Sequence, residues 1–244
     1  MRLIPAIDLL DGRCVRLRHG DFNACTFYER DPHLLARHYL EHGAQWLHVV
    51  DLAAARDGEA ADTGPLFRFL KSAGQQVQTG GGVRNRGDIE ARLEAGASRV
   101  VIGSECASQP RRFARWLGEF GSGALVAALD VELDPDGVAW PRIHGWTEDA
   151  GRTLDDLLEE LIPAGLQHLL CTDIGRDGAM SGPNVELYRA LAERYPGIKI
   201  QASGGVANLD DLVQLQQTGA AAAITGKALL EGCFSVSEAL EVLA

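Results

Sequence analysis

The sequence predicts an α/β protein folded as a closed (β/α)8 TIM barrel, and three observations carry that reading. Short apolar runs alternate with amphipathic helical patterns from one end of the 244 residues to the other. Barrels of this kind take about 250 residues as one unit, so the length suits eight strand–helix repeats. The chain also matches itself when shifted by about 122 positions, which reads as two duplicated half-barrels, roughly 1–122 and 123–244.

The strands are expected at Leu3–Asp8, Trp46–Asp51, Gln76–Thr79, Arg99–Gly103, Ala124–Asp130, His168–Asp173, Ile198–Ala202 and Ala221–Thr225. Between and after them the helices are expected at Pro32–His42, Gly64–Ser72, Arg86–Ala95, Pro110–Glu119, Thr153–Ile162, Val185–Tyr195, Leu209–Thr218 and Val236–Leu243. Their apolar residues recur three or four apart, as Leu209, Leu212 and Leu215 do. Asp31, Asn184 and Asn208 stand where N-caps belong. Pro135-Asp136-Gly137 signals a turn between short β-like runs, so a hairpin is expected in the loop after the fifth strand. In the internal match Asp8 falls on Asp130, and Leu47 and Asp51 fall on Leu169 and Asp173. With one inserted residue, Gly81-Gly82-Val83 falls on Gly204-Gly205-Val206 and Gly103 on Gly226. No linker or low-complexity stretch divides the chain, so residues 1–244 read as one domain.

A formal net charge of −11 argues against nucleic acid or an anionic membrane as partner. It leaves room for a small anion held by backbone amides. No apolar run approaches the ~20 residues of a membrane span. Asp8 comes too early for a signal peptide, so a cytoplasmic location is expected. The five cysteines have no Cys-x-x-Cys spacing and read as reduced thiols. Without a His-Glu-x-x-His pattern, no metal site is expected.

In a parallel barrel the loops after the strands build the active face. Carboxylates at the ends of apolar strands are costly unless solvated, paired or used, and Asp8 and Asp130 stand there at matched positions. Such a pair suits a general base and a general acid; a cap or a loop salt bridge is the plainer role for either one. The third and seventh strands run into Gly80-Gly81-Gly82 and Ser203-Gly204-Gly205, the fourth and eighth into Gly103-Ser104 and Gly226-Lys227. Glycine lets amides approach an anion closely, so the two sets read as two phosphate cradles and imply a small-molecule bisphosphate. Tight turns alone would also explain the glycines. Thr172 is placed to orient Asp130, and Asp177 follows in the loop, as a site residue or a turn residue. Arg16 and Arg18, read as loop residues, and Arg84 beside the first cradle are candidate phosphate or carboxamide clamps. Trp146 reads as a stacking platform or a core residue. Asp51 is a possible site residue, and His48 reads as structural.

Taken together, Pro5-Ala6-Ile7-Asp8, Asp11-Gly12-Arg13-Cys14-Val15-Arg16-Leu17, His48-Val49-Val50-Asp51-Leu52, Gly80-Gly81-Gly82-Val83-Arg84, Gly145-Trp146, Thr172-Asp173-Ile174-Gly175-Arg176-Asp177-Gly178, Ser203-Gly204-Gly205-Val206 and Gly226-Lys227-Ala228-Leu229 resemble a known family. It is the histidine-biosynthesis isomerase family, which converts the phosphoribosylformimino form of aminoimidazole carboxamide ribotide into its phosphoribulosyl form. The resemblance spans essentially the whole chain. It implies an Amadori (aldose-to-ketose) rearrangement of a substrate with two phosphates, with Asp8 as base, Asp130 as acid and no cofactor. Ala179 stands where the family often has Thr, and Ala53-Ala54 where it often has Asp-Gly. The rival readings are an isomerase that also serves tryptophan synthesis, the cyclase of the same pathway, and a non-catalytic phosphosugar-binding barrel. The cyclase resembles Cys-Leu-Asp on its first strand with a Lys soon after, where this chain has Ala6-Ile7-Asp8 and Arg16. A monomer is expected.

Overall fold

The computed structural model describes the whole chain except His19, Gly74 and Gln75, together with the side chains of Arg18 and Glu59. The expectation for Arg18 as a clamp therefore lies outside the described residues.

The first half runs β1 (Arg2–Leu10), β2 (Arg13–Arg18), β3 (Asp21–Phe27), α1 (Pro32–Glu41), β4 (Trp46–Asp51), α2 (Leu52–Asp57), α3 (Gly64–Ala73), β5 (Gln76–Gly80), α4 (Arg86–Glu94), β6 (Arg99–Ile102), α5 (Ser104–Ser108) and α6 (Pro110–Phe120). The second runs β7 (Leu125–Leu133), β8 (Ala139–Ile143), β9 (Glu148–Asp149), α7 (Leu154–Leu161), β10 (His168–Asp173), α8 (Val185–Arg194), β11 (Lys199–Ser203), α9 (Leu209–Gln216), β12 (Ala222–Thr225), α10 (Lys227–Leu230) and α11 (Val236–Val242).

Parallel pairing runs β1–β4–β5–β6–β7–β10–β11–β12 and returns from β12 to β1, which closes an eight-stranded barrel. Side chains alternate across each strand, so one set faces the axis and the other the helices. Ile4, Ala6, Trp46, Val101, Val126, Leu170, Ala222 and Ile224 make the axial core. Their neighbours Leu3, Ile7, Leu47, Val100, Leu125 and Leu169 pack outward against Phe69, Phe113, Leu157, Leu161 and Leu212 of the helices. Each large side chain buried there is worth about 1.5–3 kcal/mol of transfer free energy. Across the axis Gln78 Nε2 donates to Gln201 Oε1 at 2.6 Å, and the same nitrogen lies 3.1 Å from His48 Nδ1.

All eight expected strands and eight expected helices are present, with ends shifted by a few residues. Asp31, Asn184 and Asn208 accept from the first-turn amides as N-caps do. Two differences bear on the site. Strands β1 and β7 do not stop at Asp8 and Asp130; they continue to Leu10 and Leu133 and fold back as antiparallel hairpins with β2 and β8. The second hairpin was expected, its turn tied by Asp134 accepting from the amides of Asp136 and Val138. The first was not, and it puts Arg16 on a strand rather than in a loop. The short helices α2, α5 and α10, which start directly after β4, β6 and β12, were also unforeseen.

The duplication repeats its capping chemistry. Asn85 and Asp88 open α4 with a reciprocal capping box, and Asn208 and Asp211 do the same for α9. Asn85→Ala and Asn208→Ala should each cost about 1 kcal/mol. The two boxes share no partner, so the double variant should lose close to the sum. Chemical denaturation of the four proteins checks this; a markedly sub-additive loss would mean that the halves do not unfold as one unit.

Candidate active site

At the C-terminal end of the strands the axis opens into a cavity of about 340 Å3. The inward positions near the strand ends supply Asp8, Val50, Gly80, Gly103, Asp130, Thr172 and Ser203, all of which line it. The hairpins close over them with Arg16, Arg142, His144 and Trp146.

The two carboxylates have different partners. Asp8 Oδ2 accepts from Arg16 Nη1 at 2.8 Å, and Arg16 Nη2 donates at 3.0 Å to Asp177 Oδ1. Asp130 Oδ2 accepts from Trp146 Nε1 at 2.9 Å, and Thr172, its register neighbour on β10, stands beside it. No cation is in an ion pair with Asp130 among the described residues. Burial pushes both carboxyls above the ordinary range. For Asp8 the Arg16 charge opposes burial, while Asp177 works with it. For Asp130 only the neutral groups of Trp146 and Thr172 oppose it, and Asp177 again adds to the rise. A carboxylate facing a guanidinium stays ionised more readily than one facing neutral donors, so the ordering suits a base at Asp8 and an acid at Asp130.

The glycine sets fall into two places. Gly81, Gly82, Gly103, Ser104 and Arg84 line the main cavity. Gly204, Gly205, Gly226 and Lys227 line a second, much smaller pocket of about 20 Å3. Arg16, Asp177 and Ser203 border both. Gly82 and Gly205 take positive φ, and a Cβ on either would clash with the backbone of the preceding β–α connection, at Ala54 of α2 and at Gly182. Close packing of neighbouring loops thus accounts for these glycines, and the same packing leaves their surroundings open to a ligand. The first set is an open cradle. The second is crowded, because Arg16 Nη1 would lie 3.0 Å from a Cβ at Gly226 and Lys227 Nζ donates to the Gly178 carbonyl at 2.9 Å. The expectation of two matched cradles on one mouth is thus modified: the Arg16–Asp177 bridge stands between them.

Other expected residues take more specific places. The Ser104 hydroxyl accepts from the His144 amide at 3.1 Å, so it anchors the second hairpin. Trp146, at φ 70°, packs its ring on Gly20 of the first-half loop while its indole N–H holds Asp130; it is a wall of the cavity, not core. Asp51 does not line the cavity. It caps α2 by accepting from the Ala54 amide at 3.0 Å. His48, read as structural, does line it, and burial followed by the Arg16 charge pushes its pKa down to about 4, so it is neutral there. Sequence reasoning passed over Arg142 as well. Ser203, expected only as part of the second glycine set, also lines the main cavity, as alternation requires of the inward partner of Thr172 across β10–β11.

Residues 2–235 match the family model described as histidine biosynthesis protein. A protein of Maricaulis maris (strain MCS10), named 1-(5-phosphoribosyl)-5-((5-phosphoribosylamino)methylideneamino)imidazole-4-carboxamide isomerase, is 52% identical over 243 residues, covering 100% of this chain and 99% of its own. A protein of Serratia proteamaculans (strain 568) with the same name is 48% identical over 238 residues, covering 98% of this chain and 97% of its own. With a barrel of this topology and a match over nearly its full length, the chain belongs to the histidine biosynthesis protein family.

Proposed function

We propose that the chain is an aldose–ketose isomerase that performs the Amadori rearrangement named for its relatives, turning the phosphoribosylformimino imidazole carboxamide ribotide into its phosphoribulosyl form. The observation that carries this reading is the pair Asp8 and Asp130, at matched positions on opposite sides of one cavity, with a cation beside the first and only neutral donors on the second. Asp130 gives its proton to the ribose ring oxygen as the C1–O bond breaks, leaving an iminium at C1. Asp8 then removes the C2 proton, and the resulting enolamine tautomerises to the ketone. Only protons move, so the chain needs no cofactor. Thr172 and Trp146 hold the Asp130 carboxyl toward the cavity, and neutral His48 offers a hydrogen-bonding edge without competing for a proton.

The two phosphates occupy the two glycine sets: one sits in the open cradle beside Gly82, Gly103 and Arg84, the other beside Gly205, Gly226 and Lys227. The second can enter only if the Arg16–Asp177 bridge moves, which at the same time releases Asp8 from its counter-charge. Substrate binding and activation of the base are therefore linked through Arg16. The strand ends of a single barrel carry both carboxylates and both glycine sets, which supports a monomer as the working unit.

Turnover of the phosphoribosylformimino substrate tests the reading directly, and absence of turnover by the pure protein would end it. In an active protein, Asp8→Asn should lower kcat by at least ~10²-fold while leaving the thermal melt unchanged. The pH–rate profile gives a sharper check. Asp8 must be ionised to act, so rate falls as pH drops through its raised pKa. Asp130 must be protonated, so rate falls as pH rises through its own raised pKa. The Asp177 charge lifts both groups, so Asp177→Asn should move both limbs of the profile to lower pH. Limbs that stay in place, or move apart, would show that Asp177 does not act electrostatically on the pair.

A further inference from the structure

The opposite end of the barrel carries an arrangement that the reaction does not use. By strand alternation, the inward positions at the N-terminal mouth are Arg2 on β1, Trp46 on β4, Arg99 on β6, His168 on β10 and Lys199 on β11. Lys199 is the register neighbour of His168. The Arg99 guanidinium lies over the Trp46 ring at 4.0 Å from its centroid, and its Nε donates weakly, at 3.3 Å, to the Gly123 carbonyl. Among the described residues none of Arg2, Arg99 and Lys199 is in an ion pair.

The surroundings make this unusual. The described loops that lead from a helix into the next strand surround this mouth, and by sequence not one of them contains Asp or Glu: 42–45, 95–98, 121–124, 162–167, 195–198 and 217–221. Three unpaired cations thus converge on the axis of a chain whose net charge is −11. Buried His168 senses all of them: burial, then Arg99, Lys199 and Arg2, push its pKa down to about 4, so it stays neutral. Like charges held together without counter-charge raise each other's energy, and a bound anion removes that cost.

We propose that the N-terminal mouth of the barrel is a second ligand site, which takes a compact multivalent anion of the phosphate class. An arginine fork resting on an aromatic ring, a second arginine and a lysine together offer divergent donors to a tetrahedral oxyanion, where a single carboxylate would leave most of them unused. The exposed Glu41, Glu94, Glu193 and Glu241, in the C-terminal turns of α1, α4, α8 and α11, stand outside this ring. They favour a compact anion over an extended polyanion, which would have to cross them. The site is independent of the isomerase reading, since none of its residues lines the active cavity.

The test is NMR of the full chain, with the His168 ring as reporter, assigned through His168→Gln. Inorganic pyrophosphate also enters phosphate cradles at the far end, but only binding at this mouth perturbs His168. Pyrophosphate should shift the His168 signals saturably. Arg2→Gln/Lys199→Gln should weaken that binding at least ~10-fold, and turnover should stay within about twofold of the parent. Lys199→Gln alone should weaken it by a smaller factor, which covers the case of a double variant that folds poorly. A parallel titration with adenosine diphosphate separates the sources: equal affinity identifies phosphate groups alone, and tighter binding identifies a nucleotide. His168 signals unmoved at about 10 mM pyrophosphate, or unchanged affinity in both variants, would overturn the proposal.

Discussion

The alternation of side chains in a closed barrel is the constraint on which everything else rests. Once β12 pairs with β1, no strand can slip by one residue without turning its whole inward set outward. The inward set then stacks along the axis in a fixed order. Cationic residues stand at the N-terminal mouth, aliphatic side chains and the Gln78–Gln201 bridge fill the middle, and Asp8, Asp130 and Thr172 stand at the top. The axial core excludes water below the carboxylates, which is why burial is the largest influence on both. One period-two pattern therefore fixes where the two carboxyls stand and also makes them weaker acids than ordinary carboxyls.

Above that layer the hairpins decide how the two carboxylates differ. The first delivers a guanidinium to Asp8 and the second an indole N–H to Asp130. An indole can donate to a carboxyl in either protonation state, whereas a guanidinium favours the anion strongly. Duplication alone would have produced two equivalent carboxylates. Divergence of two hairpin residues, Arg16 and Trp146, gave them different electrostatic surroundings.

Much of this was legible in the sequence, for a physical reason. Strands and helices announce themselves by periodicity, and in this fold the residues near a strand's C-terminal end face one mouth of the barrel by position. That Asp8, Asp130, Thr172 and the glycine sets line the pockets at that mouth could therefore be read without coordinates. What could not be read depends on short-range geometry. Helices α2, α5 and α10 span four to six residues, too few to show a helical period. By contrast, Asp11-Gly12 is a hairpin-turn dipeptide that was read only as the start of a loop, so the signal that puts Arg16 on a strand was present; its bridge to Asp177, 161 positions away, is purely tertiary. The roles of Asp51 and His48 came out reversed because strand-end position was weighed above alternation. His48 shares the inward parity of Trp46, and Asp51 does not.

The Gln78–Gln201 bond has a consequence of its own. The two glutamines occupy matched positions in the two halves and meet near the axis that relates them. Two identical amides on a twofold axis cannot both donate to each other through the same contact; one must give and the other receive. A barrel assembled from two identical halves would have two equivalent hydrogen-bond polarities there and nothing to choose between them. This chain has a tie-breaker. His48 accepts from Gln78 in the first half, whereas the matched position in the second half is Leu170, which can accept nothing. The imidazole thus makes the two polarities of a buried amide pair inequivalent, and in the arrangement present Gln78 Oε1 is left unpartnered among the described residues.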